Sequence, residues 1–128
     1  MRGSAGDTAS RQAAFRRGHF AEALAAGLLT LKGYRVIARR YRCPVGEIDL
    51  IVRRGATIVF VEVKQRADAA SALHALTPRQ RERIVRAAQY WLSRRRGDRP
   101  VDCRFDMVIA RPYLWLRHVE NAFPGTPL

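Results

Sequence analysis

Cysteine, acidic residues and long apolar runs are all scarce in this 128-residue chain. Its two cysteines, Cys43 and Cys103, are isolated, with neither in a C-x-x-C pair nor in a Cys/His cluster of zinc-binding spacing. That excludes a disulfide framework and a zinc site, and both are expected to be reduced, buried thiols. No apolar run approaches the ~20 residues of a membrane-spanning helix. The opening Met1-Arg2-Gly3-Ser4-Ala5-Gly6-Asp7 lacks the apolar stretch of a secretory signal. Nor does any segment combine a wide apolar face with interfacial aromatics. A cytoplasmic protein with no membrane partner is the expectation. Acids number 11 against 24 Lys and Arg, a net charge of +13. Such a field favours a polyanionic partner, nucleic acid first. An Arg-rich solvated surface gives the same arithmetic, so charge by itself does not decide between them.

With 48% hydrophobic and 27% charged residues, the chain has enough apolar content to fold by itself. One domain over 1–128 is expected, its core at about 11–121 and flexible tails at 1–10 and 122–128. Phe15, Ala21, Leu24, Ala25, Leu28 and Leu31 recur at helical spacing over residues 11–32, and Gly33 follows as a C′ residue. Residues 34–41 read as an edge strand. Residues 47–54 and 57–66 are rich in Ile and Val, and Gly55-Ala56 between them suits a type II′ hairpin. Residues 67–76 read as a loop. Thr77-Pro78-Arg79-Gln80 opens a second helix with a capping-box variant and Pro at the first helical position. Ile84, Ala87, Ala88, Trp91 and Leu92 form its apolar stripe. Two strands, 101–110 and 113–120, complete an order that predicts an α/β or α+β fold with a mixed sheet.

A two-residue loop pairs Arg54 with Thr57 and, counting outward, sets Asp49 opposite Glu62 and Glu47 opposite Lys64. These four share one face of the hairpin, while Ile48, Leu50, Val52, Val59, Val61 and Val63 share the other. A shift by two residues is the main rival register and would set Glu62 opposite Glu47. Like charges facing each other are unfavourable unless something offsets them. Lys64 does so in part, and Mg²⁺, which takes one or two carboxylates and completes its shell with water and phosphate, does so better. A salt-bridged exposed sheet face remains the plain alternative.

Gly46-Glu47-Ile48-Asp49-Leu50-Ile51, Val59-Phe60-Val61-Glu62-Val63-Lys64-Gln65-Arg66 and Arg104-Phe105-Asp106 together resemble the YraN-like bacterial family. That family has the restriction-endonuclease-like, or PD-(D/E)xK, nuclease fold and is similar in organisation to Holliday junction resolvases. The resemblance covers about residues 15–120. It implies an α/β, restriction-endonuclease-like core with a mixed β-sheet flanked by helices, and a Mg²⁺- or Mn²⁺-dependent endonuclease acting on DNA, including branched or structured DNA. Asp49 and Glu62 would ligate metal, Lys64 would assist catalysis, and Glu22 would add a carboxylate from the first helix. A homodimer follows by analogy with resolvases. The family usually has another Gly and a polar residue ahead of the helix Glu, where this chain reads Arg17-Gly18-His19-Phe20. The alternative is a nucleic-acid-binding protein that keeps the fold without cutting.

Arg79, Arg83, Arg86 and Tyr90 fall on one face of the second helix and, with Arg66, would track phosphates. Arg94-Arg95-Arg96 extends that charge. A basic solvated helix face is the competing reading. Asp106 is read as a structural partner of Arg104. His19, His74 and His118 share no ligand spacing, and the chemistry needs none of them.

Overall fold

The computed structural model describes residues 4–66, 68–97, 99–111 and 115–125, with side chains from residue 18 onward apart from Ala69. Its elements run α1 (Ser4–Leu31), β1 (Arg35–Cys43), β2 (Gly46–Arg54), β3 (Thr57–Gln65), α2 (Ala69–Ala75), α3 (Pro78–Arg94), β4 (Asp102–Arg111) and β5 (Trp115–Val119). The five strands form one sheet in the order β1-β2-β3-β4-β5. Only β3 and β4 run parallel, and the return between them carries α2 and α3 across the sheet. The sheet is mixed and flanked by helices, the expected α/β architecture. Among the described residues, no helix is long and apolar enough to cross a membrane.

Two apolar layers hold these elements together. Ala25, Ala26 and Leu29 of α1 pack against Leu50, Val52, Val59, Val61 and Val108 on one face of the sheet. Ile84, Ala87, Ala88 and Leu92 of α3, with Ala72 and Leu76, cover Ile51, Ile58, Phe60, Phe105 and Met107 on the other. The face expected to be charged is thus apolar over most of its length, because α3 covers it. The charged cluster is confined to one end. Ile48, expected beside Leu50, packs in the α3 layer instead.

Local signals explain the element ends. Gly33 (φ 93°) closes α1 in a Schellman arrangement, with Gly33 N–H on the Thr30 carbonyl and Tyr34 N–H on the Leu29 carbonyl. The capping box at Thr77 is complete, since Gln80 N–H donates to Thr77 Oγ1 and Thr77 N–H to the Gln80 side chain. Gly55 (φ 62°) is the turn residue with positive φ between β2 and β3, as a type II′ turn requires.

Several expectations are corrected. α1 begins at Ser4, within the expected tail, and its buried side is Ala21, Glu22, Ala25, Ala26 and Leu29, while Leu31 is 88% exposed. Leu24 and Leu28 are half-buried, and the Phe15 side chain lies outside the described residues. Residues 67–76 contain α2, capped by Asp68 through Ser71 N–H at 2.7 Å. Seven residues are too few for periodicity to reveal, although Asp68 is a good N-cap. Phe123, expected in a loose tail, is buried and stacks on Phe105. Cys43 and Cys103 are free but half-buried.

Candidate active site

Pairing between β2 and β3 runs from Arg54↔Thr57 to Leu50↔Val61, the expected register, which eliminates the two-residue shift. Past Leu50 and Val61 the ladder gives way. Val63 N–H donates to Asp49 Oδ2 at 2.8 Å, so a side chain takes up a backbone donor. Glu47, Asp49, Glu62 and Lys64 line a cleft of about 170 Å³ at this end of the sheet, closed on its far side by Gln80 and Arg83 of α3.

Asp49 and Glu62 hydrogen bond to each other. Burial foremost, and then the Asp49 charge, push the Glu62 carboxyl up to about 8 despite the pull of Lys64, whose Nζ lies 3.3 Å from Glu62 Oε1. Burial also raises Asp49, opposed by the hydrogen bonds from Val63 and Glu62, and the charge of Glu22 adds to the rise. Near neutral pH, Glu62 therefore keeps a proton and donates it to Asp49.

Glu22 comes to the other side of Asp49. It is 5% exposed on α1 and lines a second cavity, about 230 Å³, with His19, Arg40 and Asp49. Arg39 Nε and Arg40 Nε lie 3.5 and 3.4 Å from Glu22 Oε1. Consecutive strand residues normally point to opposite faces. Arg40, at φ 51°, breaks that alternation, and both arginines reach one carboxylate. Neither contact has hydrogen-bond geometry, and among the described residues the buried Oε1 has no hydrogen-bond partner. The structure thus brings Asp49, Glu62 and Lys64 into contact and sets Glu22 beside Asp49. Among the described residues, no three of His, Cys, Asp and Glu gather closely enough for a ready-made metal cluster. Glu47 lies at the rim, exposed and paired with Arg42 at 3.4 Å.

Gly46 brings α3 to the acids. A Cβ at Gly46 would lie 2.8 Å from the Arg83 carbonyl oxygen, so only glycine allows this approach. Arg79, Arg83 and Arg86 are exposed and Tyr90 is half-buried. Only Arg83 reaches the cleft; Arg86 pairs with Glu82 at 2.7 Å and Tyr90 lies under Arg94. Arg66, just past β3, is exposed and donates to the Gln65 carbonyl. Sequence reasoning missed Gln80, legible there as a cap, and Arg40, whose signal is conformational.

Asp106 is structural, as expected. It is buried and takes a paired contact from Arg104 at 2.8 and 2.8 Å, His118 Nε2 at 2.6 Å and Asn121 N–H at 3.1 Å. His118, unassigned by sequence, is part of this network. Lys32 Nζ sits 2.7 Å from its Nδ1, and since an ammonium only donates, the ring accepts there and donates from Nε2.

The sequence profile of the Uncharacterised protein family UPF0102 matches residues 21–110, which span β1 to β4 and the Glu22 end of α1. The chain belongs to the UPF0102 family. A UPF0102 protein of Mesorhizobium japonicum is 53% identical over 92% of this chain and 94% of its own length. One from Bradyrhizobium is 49% identical over 91% and 83%, and one from Brucella canis 50% identical over 88% and 90%. The residues of the UPF0102 match include Glu22, Asp49, Glu62 and Lys64.

Proposed function

We infer that this chain is a divalent-metal-dependent endonuclease that hydrolyses phosphodiester bonds in DNA, branched or structured DNA included, in the cytoplasm. The carrying observation is the hydrogen-bonded Asp49 and Glu62 pair beside Lys64 in an open cleft. Burial and mutual repulsion retain a proton there that a divalent cation would displace. Two carboxylates suit Mg²⁺, which keeps several waters and completes its shell with phosphate. The buried Glu22 Oε1, which lies beside the same Asp49 and has ion-pair contacts but no hydrogen bond among the described residues, would suit a cation as well.

Asp49 and Glu62 would hold the metal, with Glu22 as an added carboxylate. When bound, Mg²⁺ or Mn²⁺ supplies positive charge against the phosphate and acidifies water. Lys64 orients the attacking water and stabilises the charge that develops on phosphorus oxygens. Arg83 and Gln80 hold the phosphate at the mouth of the cleft, and Arg79, Arg86, Tyr90 and Arg66 bind the flanking backbone.

The test is titration of Mg²⁺ or Mn²⁺ into the parent and an Asp49→Asn variant with labelled duplex, single-stranded and four-way-junction DNA. Metal-dependent cutting that the variant loses supports the nuclease reading. Cutting of the four-way junction, which has two-fold character, carries the further expectation of a homodimer in sedimentation. The second reading is a binding module that does not cut. It is favoured by the proton that Glu62 holds up to about pH 8, which weakens metal capture at neutral pH. Salt-sensitive binding with no product on any substrate would leave that reading standing.

A further inference from the structure

At the opposite end of α3 from the acids lies a larger cavity, about 440 Å³. Its wall carries Arg35 of β1, Arg53 of β2 and the run Arg94, Arg95 and Arg96 at the end of α3. None of the described residues lining it is acidic. Guanidinium groups gathered without a carboxylate repel one another, and bound anion relieves that repulsion. Arg35 and Arg53 are paired directly across β1 and β2, so the sheet itself sets two like charges opposite each other. Between the arginines, Trp91 and Tyr41 give the cavity an aromatic wall. Trp91 is held in place by an edge contact to Phe60, with ring centroids 6.0 Å apart.

The cavity and the proposed site lie at the two ends of one row of side chains on α3. Arg79, Arg83, Arg86, Tyr90 and Arg94 recur at three- and four-residue intervals, and Arg94 lies over the Tyr90 ring at 4.3 Å. From Arg83 in the cleft to Arg94 in the cavity is eleven residues, about 17 Å along the axis at 1.5 Å per residue.

We propose that this cavity binds a single-stranded segment of DNA on the same molecule whose backbone enters the acidic cleft. Its arginines take phosphates, and Trp91 and Tyr41 take an unstacked base. Sequence-tolerant grip of single strands combines a positive groove with aromatic platforms, and both occur here. The inference deepens the proposed function by naming a second contact and a substrate feature, an unpaired stretch about 17 Å from the cutting end.

Binding measured in EDTA keeps this inference apart from catalysis. The probes are a duplex with a single-stranded overhang and the same duplex blunt-ended. The variants are Arg35→Glu in the cavity and Arg117→Glu on β5, an equal charge change at the opposite edge of the sheet. The parent should bind the overhang substrate at least about fivefold more tightly. Arg35→Glu should lose that preference and flatten the salt dependence by about one ion, whereas Arg117→Glu keeps both. Equal weakening by the two variants would mean diffuse charge and overturn the proposal, as would a parent with no preference for the overhang. A parent that shows the preference yet never cuts with metal overturns only the nuclease reading. A parent that cuts while Arg35→Glu behaves identically overturns only this one.

Discussion

Asp49 Oδ2 accepts the Val63 backbone N–H at 2.8 Å where a regular ladder would use a carbonyl of β2. One bond thus both ends the pairing of two strands and fixes the Asp49 carboxylate against Glu62, the residue before Val63. The acids meet because the hairpin opens, and it opens without leaving Val63 unsatisfied.

That bond determines how Asp49 should be tested. Alanine would strand the Val63 donor, at a cost of about 1–3 kcal/mol, and would confuse folding with function. Asn keeps an oxygen acceptor. Asp49→Asn should melt within a few degrees of the parent and lose metal-dependent cleavage by at least about 100-fold, read by gel assay beside a thermal melt. Parent-like cutting by this variant would remove Asp49 from the chemistry.

Lys64→Ala should cut about 100- to 10,000-fold more slowly yet bind DNA within about threefold of the parent, since one ammonium among many cations adds little affinity. Single-turnover cleavage and filter binding separate the two. A loss confined to binding would make Lys64 another phosphate contact.

Glu62 gives stability a pH dependence of unusual sign. Its pKa in the fold, about 8, lies above the ordinary carboxylate value of 4.5, so the folded chain holds this proton more tightly than the unfolded chain. The Glu62 contribution to stability is therefore fully present below about 4.5, falls as pH rises, and is lost above about 8. The loss is on the order of 5 kcal/mol. Melts in EDTA across this window should show the fall, Glu62→Gln should flatten it, and Mg²⁺ should restore stability at the alkaline end. A flat parent profile would contradict the buried, coupled pair.

Gly46→Ala would set a methyl against the Arg83 carbonyl oxygen, so α3 must shift away from β2. The expected cost is about 1–3 kcal/mol, together with weaker cleavage, because Arg83 and Gln80 leave the mouth of the cleft. Denaturant melts and cleavage rates measure each. An unchanged variant would show that the approach of α3 is not needed.

Asp106→Ala should destabilise by about 1–3 kcal/mol, since it removes the buried carboxylate on which Arg104, His118 and the Asn121 N–H converge and leaves the largely buried His118 Nε2 donor unpaired. Burial raises the Asp106 carboxyl, but His118, Arg104 and the Asn121 N–H outweigh it and the net direction is downward. Its contribution is present above the usual carboxylate range and is lost as pH falls through the lowered value. Acid-side melts of parent and variant should converge. A variant as stable as the parent that cuts poorly would make Asp106 functional instead.

The sequence by itself determined the hairpin and its register, because a Gly-X loop of two residues leaves one way to pair alternating Ile and Val runs. It determined the second helix from Thr77 and Gln80, whose capping chemistry is local, and the end of the first from Gly33. It brought Asp49, Glu62 and Lys64 to one face by counting along strands. Tertiary structure decided the rest. Short α2 lacked the length to show a period, and the buried side of α1 was settled by the sheet it covers, which turned Leu31 outward and Glu22 inward. Phe123 left the expected tail because Phe105 offered it a ring to stack on. The splaying at Val63, the left-handed backbone at Arg40 and the arginine cavity all depend on residues far apart in the chain. Sequence spacing reports the face a side chain takes within its own element, whereas burial, repulsion and shared protons arise only once elements meet.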